Sequence, residues 1–210
     1  MPRENPVFIT AAVEGNVDEA VVRRLIEHVG GSPGPVYGRN GKDYLRQRIT
    51  SYNQAARRLP WVVLIDLDHD AECAPPLRST WLPAPSPYMC LRVAVRQVEA
   101  WLLADRERVA KFLSVSTSRI PYSPESVEHP KNAMVEIARS SRRRDIREDM
   151  VPRTGSGRSV GPAYTARLIE FVISKGTGWR PEVAARNSVS LDRSLRCLRR
   201  FRTPPASPSI

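Results

Sequence analysis

Long apolar runs are missing from this chain. Its apolar stretches are strand-length, as at Trp61 to Ile65, or amphipathic, whereas a membrane span needs about twenty consecutive apolar residues. The first residues, Met1 to Asn5, run directly into an apolar strand with no apolar region and cleavage site of the secretory kind, so the expected location is the cytoplasm. Cysteine is scarce. The three present, Cys73, Cys90 and Cys197, are far apart and show no CxxC spacing. That argues against a cysteine zinc site and a disulfide framework, and leaves three reduced thiols as the expectation. The glycine-rich segment Arg153 to Arg158 lacks GxxxxGK[ST] spacing and a preceding strand, so no nucleotide-binding signature is present. No internal repeat is visible, and strand signals vanish after Pro121.

What the chain has is positive charge. Its 210 residues carry a formal net charge of +11, mainly from arginine, much of it at Arg142 to Arg144 and at Arg193, Arg196, Arg199, Arg200 and Arg202. A planar guanidinium grips phosphate in two-pronged fashion, so such a field favours polyanions, nucleic acid above all. A solvated basic face, or one that docks an acidic protein, accounts for the same composition.

The length suits one domain with an appended lobe. Pro6 to Val13 reads as a buried strand, followed by Glu14-Gly15 and a helix from Asn16 to Gly30-Gly31, where Asn16 and Glu19 have capping-box spacing. Pro35 to Tyr37 is a short strand candidate. Lys42 to Leu59 reads as a helix with Tyr44, Leu45, Ile49, Tyr52 and Ala56 inward and a basic outer face. Trp61 to Ile65 is a central strand covered on both faces, and it ends in Asp66-Leu67-Asp68-His69-Asp70. Pro75 to Pro87 reads as a loop with one helical turn, Tyr88 to Val95 as the fourth strand, and Gln97 to Asp105 as a helix continued after a bend by Arg106 to Leu113. Helices near Lys131 to Ser140, Pro162 to Lys175 and Leu191 to Arg202 form a C-terminal helical lobe. Arg142 to Gly161 is expected to be mobile, and Thr203 to Ile210 to be a disordered tail. The expected fold class is therefore α/β, a mainly parallel sheet flanked by helices, with a first domain over residues 1–113 and a helical lobe over 114–202.

In parallel sheets ligands collect beyond the carboxyl ends of the strands, and the acids lie there. Asp66 and Asp68 follow a strand at i, i+2 spacing, so both carboxylates can face one point. Two close carboxylates repel unless a cation or proton is shared, and a hard divalent ion with oxygen ligands is a natural occupant. Aspartates also terminate strands and begin turns. Glu14, at the end of another buried strand and before a glycine, falls on the same edge; a strand terminator or a partner for a nearby arginine is its plainer reading.

These residues resemble TOPRIM domains, the catalytic module of topoisomerases, bacterial primases and nucleases of the overcoming-lysogenization-defect type. The match is Val13-Glu14-Gly15 after the first strand, Asp66-Leu67-Asp68 after the third, and the αβ order between, over roughly residues 6 to 105. Further resemblance, to a TOPRIM-like group encoded beside ATPases in prokaryotic defence loci, rests on Arg92-Val93-Ala94-Val95, Glu99 to Asp105, His129-Pro130-Lys131 and Ser188-Val189-Ser190-Leu191. What the resemblance implies is phosphodiester hydrolysis with one or two Mg2+ (or Mn2+) ions, DNA rather than RNA as partner, and an ATPase encoded nearby. It implies Asp66 and Asp68 as metal ligands, Glu14 as ligand or general acid/base, Asp18 as the second acid of an EGxxE/D pattern, Glu99 as completing a second metal site, and Lys131 as a neutraliser of phosphate charge.

Each has a plainer reading. Asp18 in a first helical turn is favoured by the helix dipole, Glu99 can pair with Arg96 or Arg92, and a lysine at a helix start is commonly solvated. His69 and Asp70 read as polar loop residues, since hard magnesium prefers oxygen, and His28 has no partner. A non-catalytic module binding nucleic acid or a partner ATPase is the rival to the nuclease. Primase-type transfer lacks a zinc module here, and topoisomerase-type scission lacks a tyrosine in a recognisable context.

Overall fold

The computed structural model describes residues 6–202; the expected tail over Thr203 to Ile210 lies outside them. Strands β1 (Phe8–Val13), β2 (Ser32–Gly38), β3 (Trp61–Asp66) and β4 (Met89–Ala94) form a four-stranded sheet in the order β2-β1-β3-β4, all pairs parallel. This is the expected α/β arrangement. Helices α1 (Asn16–His28), α2 (Lys42–Ala55) and α3 (Ala74–Trp81) connect the strands, and α4 (Val98–Leu103) and α5 (Arg106–Leu113) follow β4. The rest is helical: α6 (Pro130–Arg139), α7 (Arg144–Met150), α8 (Tyr164–Ile173), α9 (Pro181–Ala184) and α10 (Val189–Arg199).

Alternation along each strand sorts the core into two layers. Ile9, Ala11, Val13, Val62, Leu64, Cys90 and Ala94 face α1 and the helices that follow β4. Ala12, Trp61, Val63, Ile65, Met89, Leu91 and Val93 face α2 and α3. Both sides of β3 are therefore buried, as its unbroken apolar run requires. The C-terminal helices do not form a separate core: Leu168, Phe171, Trp179, Leu191 and Leu195 join the cluster that contains α1 and α4. Trp101 on α4 links the parts, since its indole donates to Ser190 Oγ at 2.7 Å and its carbonyl accepts from Trp179 Nε1 at 3.1 Å. Asp105, fully buried, caps α5 and binds the Arg180 guanidinium at 2.7 and 3.0 Å.

Five expectations are corrected. Gly15, not Asn16, is the N-cap of α1, and no side chain caps it; Glu19 instead binds Arg23 and Arg39 at 2.9 and 2.8 Å, so two cations outcompete the backbone N–H. His28, at the end of the same helix, does have a partner, since its Nδ1 lies 3.6 Å from the Glu182 carboxylate on α9. Residues 75–87 begin with most of α3, because prolines at its first turn need no N–H partner there. Arg142 to Gly161 contains α7, whose Ile146 and Met150 are buried, anchoring a segment whose polar composition suggested motion. Cys90 and Cys197 are joined in a disulfide across a sequence separation of 107, leaving Cys73 as the exposed thiol. Packing of α10 along β4 brings them together, a proximity that cysteine spacing cannot reveal.

Candidate metal centre

Register decides which side chains share the sheet's carboxyl edge. Val13 pairs with Gly38 on one side and Leu64 on the other, and Asp66 pairs with Ala94. The residues just beyond these positions therefore emerge together. Glu14 turns toward β3, and its Oε1 accepts the Asp66 N–H at 2.8 Å. Asp66 Oδ1 accepts the Val98 N–H at 2.9 Å, at the start of α4. Asp18, in the first turn of α1, is 7 % exposed, and Glu99, in the first turn of α4, is 3 % exposed. Gly15 allows the approach, since a β-carbon there would lie 3.1 Å from Asp18 Oδ2.

These four carboxylates feel one another. Burial, with Glu99 and Glu14 adding to it, pushes Asp18 up to about 7. Asp66 is held well above the usual carboxylate range by burial and by Asp18, Glu99 and Glu14. Burial raises Glu14 and Glu99 as well, the latter partly offset by Lys131 and by the Tyr164 hydroxyl. Repulsion of this kind is relieved by a proton or a cation.

The oxygen inventory favours a cation. Glu14, Asp66 and Glu99 each use one oxygen on a protein donor, and among the described residues their second oxygens accept no hydrogen bond. Asp18 Oδ1 is buried with no partner at all, which costs stability unless something outside the protein satisfies it. An all-carboxylate oxygen set is the kind that Mg2+ or Mn2+ prefers, although among the described residues no three of these acids bring ligand oxygens all within 4.8 Å of one another.

Asp68 is placed differently. Its φ is +47°, in the left-handed region, and its carboxylate accepts from Lys42 Nζ at 2.5 Å and Gln97 Nε2 at 3.3 Å. Lys42 also holds Asp70 at 2.8 Å. Asp68 thus lines the rim as half of an ion pair, beside a cleft of about 740 Å³ that also touches Lys42, Arg46 and Asp70. Glu99 pairs with neither Arg96 nor Arg92; Tyr164 Oη donates to its Oε1 at 3.2 Å, and Lys131 Nζ lies 3.9 Å away. Lys131 is therefore at the site, and its backbone N–H donates to Gln97 Oε1 at 3.2 Å.

His69 lies exposed on the same rim. With Glu128 and His129 it forms a group whose ligand atoms all lie within 4.8 Å, a tighter spacing than Glu14, Asp18, Asp66 and Glu99 reach, although the Arg96 guanidinium also sits 3.4 Å from His69 Nδ1.

Sequence reasoning missed Lys42, Gln97 and Tyr164. Lys42 follows the turn that ends β2, so topology alone puts it on this edge, a signal available once β2 is accepted as parallel to β1. Tyr164 comes from α8 and had no local signal. The fold and site together define a parallel-sheet α/β protein with a partly buried acidic cluster at the carboxyl edge of its sheet. In comparisons with known proteins, no family model, curated protein or solved structure matched the chain. Among the described residues no helix is long and apolar enough to cross a membrane.

Proposed function

We propose that the chain is a Mg2+- or Mn2+-dependent, TOPRIM-type endonuclease that hydrolyses nucleic-acid phosphodiester bonds, DNA before RNA. The observation that carries this reading is the convergence of Glu14, Asp18, Asp66 and Glu99 on one sheet edge with the buried Asp18 Oδ1 unpartnered. One or two divalent ions bound among these acids would polarise the scissile phosphate and lower the pKa of an attacking water. The protein's own groups would do the rest. Val98 N–H fixes Asp66 and Asp66 N–H fixes Glu14, so the ligand oxygens are set before substrate arrives. Lys131, beside Glu99, and Lys42, beside Asp68, would supply positive charge for the phosphate as its negative charge grows. Glu14, with its carboxyl raised by burial, suits the proton-transfer role. The basic second half would steer the backbone. An ATPase partner and a role as the effector of an anti-phage system belong to the same proposal.

A second reading is the non-catalytic module. It is favoured by Lys42, whose ammonium occupies the Asp68 and Asp70 carboxylates as a metal otherwise could. One experiment separates them: plasmid DNA and RNA are incubated with the protein in Mg2+ or Mn2+, beside Asp66→Asn. Cleavage that needs the metal and disappears in the variant supports the enzyme. Salt-sensitive binding without cleavage, equal in both proteins, supports the module.

A further inference from the structure

Away from the acids, a second concavity of about 760 Å³ opens along β4, one of the two outer strands of the sheet. Its size is that of small-molecule sites, about 300–1,000 Å³. Three elements send guanidinium groups into it: Arg78 from α3, Arg92 from β4, and Arg193 and Arg200 from α10 and the turn after it. Much of the arginine elsewhere in the second half is paired: Arg143 with Asp145, Arg144 with Glu148, Arg167 with Asp149, Arg180 with Asp105. Of the five arginines lining the pocket, Arg196 is likewise paired, with Asp192, and the other four are different. Among the described residues, Arg78, Arg92, Arg193 and Arg200 form no ion pair with a carboxylate, and the pocket's one acid, Glu125, is spent on Ser188, Val189 and Ser190.

Two observations show that this charge lacks its counterpart. Arg78 Nε is buried with no hydrogen-bond partner, and Arg92 reaches only Ser194 Oγ, at 3.4 Å. Burial, together with Arg78, Arg193 and Arg200, pulls the Arg92 guanidinium down to about 10. Like charges gathered in a partly desolvated cleft raise the free energy of the fold unless an anion joins them. The lining also includes the apolar Met89, Leu91, Val93 and Val95, which can cover an uncharged remainder.

We propose that this pocket is an anion site for a terminal phosphate group carrying several negative charges, with Arg78, Arg92, Arg193 and Arg200 as its ligands. The group can come from a free nucleoside di- or triphosphate or from the phosphorylated end of a nucleic-acid strand. Guanidinium forks suit phosphate oxygens bidentately, and convergence from three elements into a concavity suits a compact group better than a strand running across a flat face. The proposal does not depend on the acidic centre being catalytic.

The test is calorimetric titration of the full chain, with EDTA present, against sodium triphosphate, ATP, and a short oligonucleotide with and without a 5′-phosphate. Sulfate is the control. Saturable binding of triphosphate and ATP, weakened about tenfold or more in Arg92→Gln and in the double variant Arg193→Gln/Arg200→Gln, is expected. Binding of the phosphorylated oligonucleotide but not of its unphosphorylated twin or of ATP would support the site and assign it to strand ends. The double variant changes only exposed side chains, so it decides the matter if Arg92→Gln fails to fold. No binding of any phosphate, sulfate binding as tight as triphosphate, or full affinity in the double variant would overturn the proposal. Loss of binding in Asp66→Asn with the double variant unaffected would also overturn it, by placing the anion elsewhere.

Discussion

The substitution Asp18→Asn tests the acidic centre without any substrate. The carboxyl of Asp18 is pushed from an ordinary value of 3.8 to about 7, and at about 1.4 kcal/mol per pH unit the ionised form costs the metal-free fold up to about 4 kcal/mol. Asp18 shares this repulsion with Asp66 and Glu99, so about 2–4 kcal/mol is the expected gain for the variant. The sign follows from proton counting. Between pH 3.8 and about 7 the folded protein binds the Asp18 proton and the unfolded chain does not, so stability falls as pH rises through that window. The amide of the variant has no such proton to lose. The two proteins should therefore melt alike near the acid end, and the variant should melt higher at neutral pH and above, by roughly 5–12 °C for a chain of this size. Added Mg2+ should raise the melting temperature of the native protein at neutral pH, because the ion stabilises the ionised cluster, and raise that of the variant much less. Differential scanning calorimetry in EDTA and in Mg2+, across that pH range, reads all of this. A variant that melts lower than the native protein at neutral pH, with Mg2+ shifting both equally, would refute the idea that Asp18 is a strained ligand.

Lys42→Met should tighten Mn2+ binding a few-fold in calorimetric titration, since a competing cation leaves the rim, while lowering cleavage by about 100-fold if Lys42 stabilises phosphate charge. Asp105→Ala should destabilise the fold by about 3 kcal/mol in urea titration, because it strips Arg180 of its buried partner and α5 of its cap. Gly38→Ala should cost at least about 2 kcal/mol. Gly38 has φ of +90° and a β-carbon there would run into the Val13 carbonyl, so the damage falls on the β1–β2 pairing and hence on Glu14; loss of metal-induced stabilisation along with the lower melting point checks it.

The sheet was legible because its strands are written in contiguous apolar residues bounded by acids, glycine or proline. Trp61 to Ile65 is too short for a typical helix and reads as a doubly covered strand, and the αβ alternation then put Glu14 and Asp66 on one edge. β2 was harder: Pro33, Gly34 and Pro35 argue against a strand, yet as the outer strand beside β1 it tolerates prolines whose missing N–H groups would face away from its partner. Within the site, Asp66 and Asp68 looked equivalent by spacing, but only Asp66 sits on the strand. Asp68, two residues past its end in a left-handed conformation, is drawn to Lys42, a contact between residues 26 positions apart that periodicity cannot show. The disulfide and the Tyr164 contact are of the same long-range kind.

The Tyr164 hydroxyl on Glu99 means that the acidic centre is finished by a helix from the far half of the chain. Shortening the protein to its strand-bearing half would strip α1 of its α8 neighbour, bare the apolar flank of α4, and leave a deeply sunk glutamate facing bulk water. Anyone seeking a minimal fragment should expect insoluble material, and should trim the exposed stretch 153–159 between α7 and α8 instead.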